Sequence, residues 1–371
     1  MNRARRLLTR RHALAALGGL ILLLAPLAGC GSSDNARQGP ADFFGIAPAG
    51  PLNSTDFDRM QTGEVGQYHV LLSWAQVETE KDTYDWTRFD DLYENLAMHG
   101  IDPVTVVIGT PAHYAPEPTY APTVSDEALK GWKHFLEAAA ERYGPDGDFW
   151  RQFVNREPDV EPRPIETWEI WNEPNAIGFW QPKPDPAAYG KLLTTSADAI
   201  HSVQPEAEIM TGGMFATPLA GESISSFDFL RQLYEQPDVA DAIDVVAVHP
   251  YGPEVSDVEK QMEMTHEVIT EAGDDAGMWV TEVGWGSDPS IKSGQGESPD
   301  GQAEKLTDTF QMLLDNREEW GLHGVLWYTW VDFAAPDSAC LWCPTAGLLD
   351  SDRDPKPAYD SFVEFTGGEG D

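Results

Sequence analysis

An eight-stranded parallel α/β barrel, (β/α)8, is what this sequence predicts, and three observations predict it. Eight short apolar runs rich in β-branched and aromatic residues recur along the chain, as strands buried on both faces require. Amphipathic stretches with helical spacing separate them, and strand-helix alternation repeated eight times closes a parallel sheet on itself. No Gly-x-Gly-x-x-Gly loop, the mark of an open doubly wound sheet, follows any of the runs. The 325 residues from Ala41 to Phe365 hold no repeat or low-complexity block, and that length suits one TIM barrel.

The predicted strands are Phe43–Ala47, Tyr68–Ser73, Val104–Ile108, Thr167–Trp171, Glu208–Thr211, Ile243–Val248, Met278–Thr281 and Gly324–Thr329. Between them, Asp85 to His99 carries Phe89, Leu92, Tyr93 and Leu96 at helical spacing and stops at Gly100. Ser125 to Tyr143 has an N-cap serine, acids in its first turn and Gly144 behind it. Pro186–Val203, Ser226–Gln236, Ser256–Ala272 and Gly301–Arg317 read as further helices. Thr110 to Glu166 holds a helix plus a Pro- and Arg-containing part, Trp150 to Pro164, expected as an insertion near the site. Residues 366–371 are expected to fray.

Residues 1–29 read as an address. Arg3, Arg5, Arg6, Arg10 and Arg11 make a basic front, an apolar stretch follows, and Leu27-Ala28-Gly29-Cys30 resembles the lipobox of bacterial-type lipoproteins. A transmembrane anchor is the other reading, but the stretch falls short of about 18–20 apolar residues. Thr9-Arg10-Arg11-His12-Ala13-Leu14 also resembles a twin-arginine signal, with Ala13 where that pattern favours Phe. Cleavage before Cys30 would leave a lipidated cysteine, a flexible tether over 30–41 and a catalytic domain over 42–365 on the outer face of the cell membrane. Losing five arginines leaves 19 basic residues against 62 acidic ones, a net charge near −43. Such a chain is a poor partner for nucleic acid and is repelled by anionic membranes, so the lipid would hold it in place.

Two glutamates stand in aromatic frames at strand ends: Glu173 in Trp168-Glu169-Ile170-Trp171-Asn172-Glu173-Pro174-Asn175, and Glu282 in Trp279-Val280-Thr281-Glu282-Val283-Gly284-Trp285. Pro174 or Val283-Gly284 turns the strand into a loop there, and parallel barrels build their sites at that end. A pair of carboxylates can hydrolyse a glycosidic bond, one donating the proton and one attacking. They lie 109 positions apart, so only the barrel can unite them.

Asn172-Glu173-Pro174 after an apolar strand, with a second Glu ending a later one, resembles clan A of the retaining glycoside hydrolases, most closely families 39 and 5. The resemblance covers most of Phe43 to Tyr359. It implies that Glu173 is the general acid/base, Glu282 the nucleophile, and Asn172 a contact to the sugar 2-hydroxyl. His249 and Tyr251 in Val248-His249-Pro250-Tyr251 would orient the nucleophile, and Trp327 would supply an aromatic platform. Trp74 and Trp285, also at strand ends, are expected sugar contacts; Trp180 is a weaker candidate and His113 a candidate cleft residue. His69 departs from the family pattern, which usually carries an arginine there to support the nucleophile. A neutral imidazole at that sugar-binding site would support the negative charge less.

Cys340-Leu341-Trp342-Cys343 has no second pair for a structural zinc and no thioredoxin-like context, so a small disulfide after the last strand is expected. Asp350 to Asp354 lacks the Gly and distal Glu of a calcium loop and reads as a turn. The sequence therefore predicts a monomeric retaining glycosidase acting on a poly- or oligosaccharide, with no metal or organic cofactor. A catalytically silent glycan-binding lipoprotein and a transglycosylase on the same barrel are the alternatives.

Overall fold

The computed structural model describes residues 37–50, 52–216, 221–292, 294–334 and 340–370. The expected signal segment, Cys30 and the tether as far as residue 36 lie outside the described residues.

A closed parallel barrel is observed. Its strands are β1 (Phe44–Ile46), β2 (Gln67–Ser73), β3 (Asp102–Ile108), β4 (Thr167–Ile170), β5 (Glu208–Thr211), β6 (Met214–Phe215), β7 (Val245–His249), β8 (Gly277–Val283) and β9 (Leu322–Trp327). Each pairs in parallel with its neighbour, β1 also pairs with β9, and β5 and β6 both pair with β7. Gly212-Gly213 divides one stave into β5 and β6, so nine segments make eight staves. All eight predicted strands are found.

Helices return the chain between staves. Thr87–Met98, Asp126–Tyr143, Pro186–Val203, Ser226–Tyr234, Val255–Glu271 and Pro299–Asp315 match the six predicted ones. Ser125 caps its helix as expected, accepting from Ala128 N, and Asp185 and Ser298 cap two others ahead of Pro186 and Pro299. Ser54–Thr62 and Pro357–Thr366, which the sequence reading passed over, are the first and last helices of the ring. Both are short and only weakly periodic to the eye, yet Phe57 and Met60 in one and Tyr359, Phe362 and Phe365 in the other are buried.

Alternation along each strand sorts the side chains into two layers. Outward residues such as Ile46, Val70, Leu72, Ile170 and Val246 join the large core between barrel and helices. Inward ones form a narrow column: Ala47, Val104, Met210, Val245, Ala247, Trp279 and Leu326. Small side chains dominate that column and leave room at its top for polar groups.

The segment Trp150–Pro164 is not near the mouth. It follows a helix and leads into the start of β4, so chain direction puts it at the opposite, N-terminal rim. Arg163 there pairs with Asp102, the first residue of β3, at 2.9 Å. The expected frayed tail is partly docked at the same rim. Thr366 ends the last helix, is buried and donates to Gly63 O at 2.6 Å, and Glu369 N donates to Thr62 O. Among the described residues, no helix is long and apolar enough to cross a membrane.

One buried carboxylate ties the two ends of the ring together. Asp56, in the first helix, accepts from Asn53 N at 2.8 Å, from Arg353 Nε at 3.1 Å and from Trp330 Nε1 at 3.3 Å. Asp56→Ala should therefore lower unfolding stability by roughly 1–3 kcal/mol, since it removes the buried acceptor of the Trp330 indole N–H and of Asn53 N. Urea unfolding of the variant beside the parent measures this, and a loss below about 0.5 kcal/mol would contradict the assignment.

Candidate active site

The barrel brings Glu173 and Glu282 together at the C-terminal ends of its strands. Glu173 lies three residues beyond β4 on a backbone that leaves ordinary strand geometry twice. Trp171 and Glu173 have φ of +70° and +43°, left-handed values that cost a non-glycine residue about 1 kcal/mol or more. Neighbours fix that path: Trp171 N donates to Val107 O, Glu173 N donates to Gly213 O, and Trp171 Nε1 donates to Phe179 O. Glu282 reaches the mouth by another device. Between Val280 and Val283, β8 spends one residue more than β9 does between Val325 and Trp327. This bulge turns both Thr281 and Glu282 toward the site, where strict alternation would face one of them outward.

His249, the last residue of β7, joins them. Its Nδ1 lies 3.0 Å from Glu173 Oε1 and 3.7 Å from Glu282 Oε2, and its Nε2 lies 3.1 Å from Thr281 Oγ1. One oxygen of each carboxylate and one imidazole nitrogen all fall within 4.8 Å of one another. Tyr251 donates its hydroxyl to Glu282 Oε2 at 2.7 Å. No other group of three or more His, Cys, Asp or Glu among the described residues has metal-ligand spacing. Here, however, His249 and Tyr251 already engage Glu173 Oε1 and Glu282 Oε2. That is an arrangement for moving protons.

The electrostatics separate the two carboxylates. Burial raises the affinity of Glu173 for its proton; His249 opposes this and the Glu282 charge adds to it, leaving Glu173 above the usual carboxylate range. Burial alone would lower the imidazole, but Glu282, Glu173 and Glu169 outweigh it and push His249 up to about 9. Glu173 and His249 therefore each hold a proton to higher pH than they would free in water, and the titration of each depends on the other. Tyr251 is raised well above its ordinary value by burial and then by Glu282, so it stays a donor.

Gly213 is the hinge of this constellation. A Cβ there would sit 2.1 Å from His249 Nε2 and 2.8 Å from Thr281 Oγ1, so no larger residue fits. Its N–H donates to Glu169 Oε1 at 2.8 Å while its carbonyl accepts from Glu173 N.

Several sequence-predicted residues lie elsewhere. Trp74, Trp285 and Trp327, expected as sugar contacts, are fully buried in the layer outside the barrel. Their indoles donate to Glu78 Oε2, Pro253 O and Ala346 O. Trp180 is likewise buried, against Trp171 and Tyr189. His69 is sealed inside the barrel and pairs with Glu169 at 2.7 Å, so it reaches neither a sugar nor Glu282. His113 is partly exposed and pairs with the buried Glu78 at 3.1 Å. Asn172 does line the mouth, beside a recess of about 110 Å³ that it shares with Ser73, Ile108, Pro118 and Phe179.

Tyr328 is the aromatic residue the sequence reading missed. It follows Trp327 and so faces inward, where burial and the charges of Glu282 and Glu173 raise its hydroxyl. Its ring lies edge-on to Tyr251 at 6.4 Å. Strand alternation carried this signal, because neighbours on a strand face opposite ways and only one of Trp327 and Tyr328 can see the site. Cys340 and Cys343 form the expected disulfide. Asp350 closes the expected turn, its Oδ1 accepting from Asp352 N and Asp354 N.

Residues 148–352 match the family model described as Glycosyl hydrolase catalytic core. No curated protein matches the chain. Among solved structures, the chain is similar to a family 39 glycoside hydrolase from Bacteroides cellulosilyticus WH2, with TM-score 0.63 and 22% identity over 90% of this chain and 64% of that one. It is also similar to a monomeric beta-xylosidase from Caulobacter crescentus CB15, with TM-score 0.63 and 19% identity over 89% and 69% of the two chains. A family 39 enzyme from Xanthomonas axonopodis pv. citri gives TM-score 0.60 and 17% identity over 89% and 67%. At these identities the likeness is one of fold, and the chain spans about two thirds of the length of each.

Two titrations test the site. In Glu282→Gln one negative charge facing both Glu173 and His249 is gone, so both should release their protons at lower pH than in the parent. Carboxyl and imidazole NMR titration reads this directly; unchanged or raised values would contradict the coupling. Gly213→Ala should displace His249, and the same titration should then show Glu173 and His249 uncoupled, in a protein that still folds cooperatively.

Proposed function

The chain belongs to the glycosyl hydrolase catalytic core family, and from that premise we propose that it cleaves O-glycosidic bonds with retention at the anomeric carbon. The observation that carries this reading is the separation of the two carboxylates. Retaining enzymes hold theirs about 5–5.5 Å apart, whereas inverting ones leave roughly 6.5–9.5 Å for a water. The nearest oxygens of Glu173 and Glu282 lie within 4.8 Å of each other, which supports the closer of the two spacings.

In the first step Glu282 Oε attacks the anomeric carbon while Glu173 gives its proton to the departing glycosidic oxygen. The C–O bond of the substrate breaks as the ester bond to Glu282 forms. Tyr251, donating to Glu282, aims the attacking carboxylate. Glu173, now ionised, is balanced by the His249 imidazole 3.0 Å away. In the second step Glu173 takes a proton from water, the resulting hydroxide oxygen bonds to the anomeric carbon, and Glu282 leaves as carboxylate. Asn172, next to Glu173 in the chain and lining a recess at the rim, is the proposed contact to the sugar ring.

The substrate class is a neutral glycan. A net charge of −38, nearer −43 once residues 1–29 are removed, disfavours polyanionic chains. The export reading rests on sequence: the basic front, apolar stretch and Leu27-Ala28-Gly29-Cys30 support a lipoprotein held outside the cell through Cys30.

Reducing-end release from a panel of neutral polysaccharides and aryl glycosides tests the function. The parent should release sugar with retained configuration, and Glu282→Gln should abolish release. Glu173→Gln should lose roughly 10²–10⁴-fold on unactivated substrates and far less on aryl glycosides whose leaving group needs no proton. Release that survives Glu282→Gln would overturn the nucleophile. Silence of the parent with glycan still bound would point to a binding protein, and transfer to an added sugar acceptor would point to a transglycosylase.

A further inference from the structure

The disulfide loop stands directly on the nucleophile's supports. Cys340 and Cys343 are bonded across three positions, which closes a small ring around Leu341 and Trp342. Leu341 points to solvent, while Trp342 turns inward and is almost fully buried. Its ring meets Tyr251 edge-on with centroids 5.0 Å apart and Tyr328 at 6.0 Å. Together with Ala346 these residues form an aromatic cluster separate from the main core, with Phe215 and Ile291 packed against it.

The loop also rests on the end of β8. A Cβ built at Gly286 would lie 2.8 Å from the Trp342 carbonyl oxygen and 3.1 Å from its Cβ. One built at Gly284 would lie 3.6 Å from Trp342 Cζ3 and 2.2 Å from Tyr328 O. Gly286 is what allows the loop to close onto the segment just beyond Glu282, whereas at Gly284 the crowding comes from Tyr328 O and Trp342 is in ordinary contact. Trp342 therefore bears on the nucleophile twice: through the strand end that holds it, and through Tyr251, whose hydroxyl donates to Glu282 Oε2 at 2.7 Å.

The far side of the loop is anchored independently. Thr345 O accepts from Ser287 N, from Lys356 Nζ and, at longer range, from Gln302 Nε2, and Ala346 O accepts from Thr329 N. Residues 345–346 are thus pinned without the disulfide. The Cys340–Cys343 bond acts on the pair it encloses, Leu341 and Trp342. Trp342 O also accepts from Thr345 N at 3.0 Å and from Thr345 Oγ1 at 3.2 Å, so the turn holds the Trp342 backbone and the disulfide adds the tie on its other side.

We propose that Trp342, held by the Cys340–Cys343 disulfide, is a positioning residue that keeps Tyr251 aimed at Glu282. This rests on the reading of Glu282 as nucleophile. Loss of the support misdirects the carboxylate without removing any group that binds sugar, so kcat falls while KM stays nearly constant.

The test compares the full chain with Trp342→Ala, Trp342→Phe and the double variant Cys340→Ser/Cys343→Ser, on whichever aryl glycoside the parent hydrolyses. Trp342→Ala should lower kcat at least tenfold with KM within twofold, and Trp342→Phe should restore most of the loss. The double variant should also be slowed. Dithiothreitol, a dithiol that takes up the two oxidising equivalents of the disulfide, should slow the parent to the double variant's rate and leave that variant unchanged. An active parent whose kcat survives Trp342→Ala, or the opening of the disulfide, would overturn the proposal. So would an equal loss in KM and kcat not restored by Phe. A parent silent on every substrate fails the glycosidase reading instead. The crystal structure of the double variant, or of Trp342→Phe if only that one folds as the parent does, then decides the positioning role. Tyr251 Oη moved away from Glu282 in the double variant, or kept there in Trp342→Phe, supports it; Tyr251 unmoved in the double variant, or displaced in Trp342→Phe, overturns it.

Discussion

Two carboxylates facing each other inside 4.8 Å, in a site largely closed to water, are the constraint on which the rest of this structure depends. Two full negative charges at that distance repel by roughly 3 kcal/mol at an effective dielectric of about 20. The site relieves this with one imidazole. His249 Nδ1 faces both carboxylates, and Thr281 fixes its other nitrogen. For His249 to stand there, the neighbouring stave must lack a side chain, which is why Gly213 interrupts it. For Thr281 and Glu282 both to face inward, β8 must bulge. For Glu173 to meet them, the chain beyond β4 must take left-handed turns at non-glycine residues. Local irregularities in three strands thus trace back to one electrostatic problem.

The regular part of this architecture was legible in the sequence, and the irregular part mostly was not. Eight buried strands announce themselves by composition, because residues such as Val104 to Ile108 face apolar neighbours on both sides. Glu173 and Glu282 were legible as a pair for the same reason: a charged residue ending such a run has no place in the core. The tryptophans misled. Trp74, Trp285 and Trp327 sit at strand ends and offer stacking area, yet a single step of alternation decides which way each faces. Size said nothing about parity. At β9 the answer went against the larger ring, and Tyr328 took the inward position. The bulge in β8 was invisible, since it appears only when β8 is laid against β9.

The two rims of the barrel divide the work. The N-terminal rim is tied tightly: Arg37 donates to Thr366 O, Gln38 N donates to Phe365 O, and Thr366 reaches Gly63. The first described residues and the last helix meet there, beneath the strands. The mouth, at the other end, is free of these ties. The segment from Trp150 to Pro164 belongs to the closed rim as well, and Arg163 there serves Asp102 rather than a ligand at the mouth.

His69 carries the last step. Where the resemblance led to the expectation of an arginine, this chain has an imidazole that meets Glu169 one layer down. The support reaches the site by another route. Glu169, held by His69 on one oxygen, accepts Gly213 N–H on the other. Gly213 in turn holds Glu173 through its carbonyl and gives His249 its space. The negative charge of Glu169 also favours a proton on His249. At Glu282 itself, the Tyr251 hydroxyl supplies the donor. The cationic support of this site is an imidazole between both carboxylates. Because His249 can lose its proton and a guanidinium cannot, the charge balance of this site is tied to pH through His249.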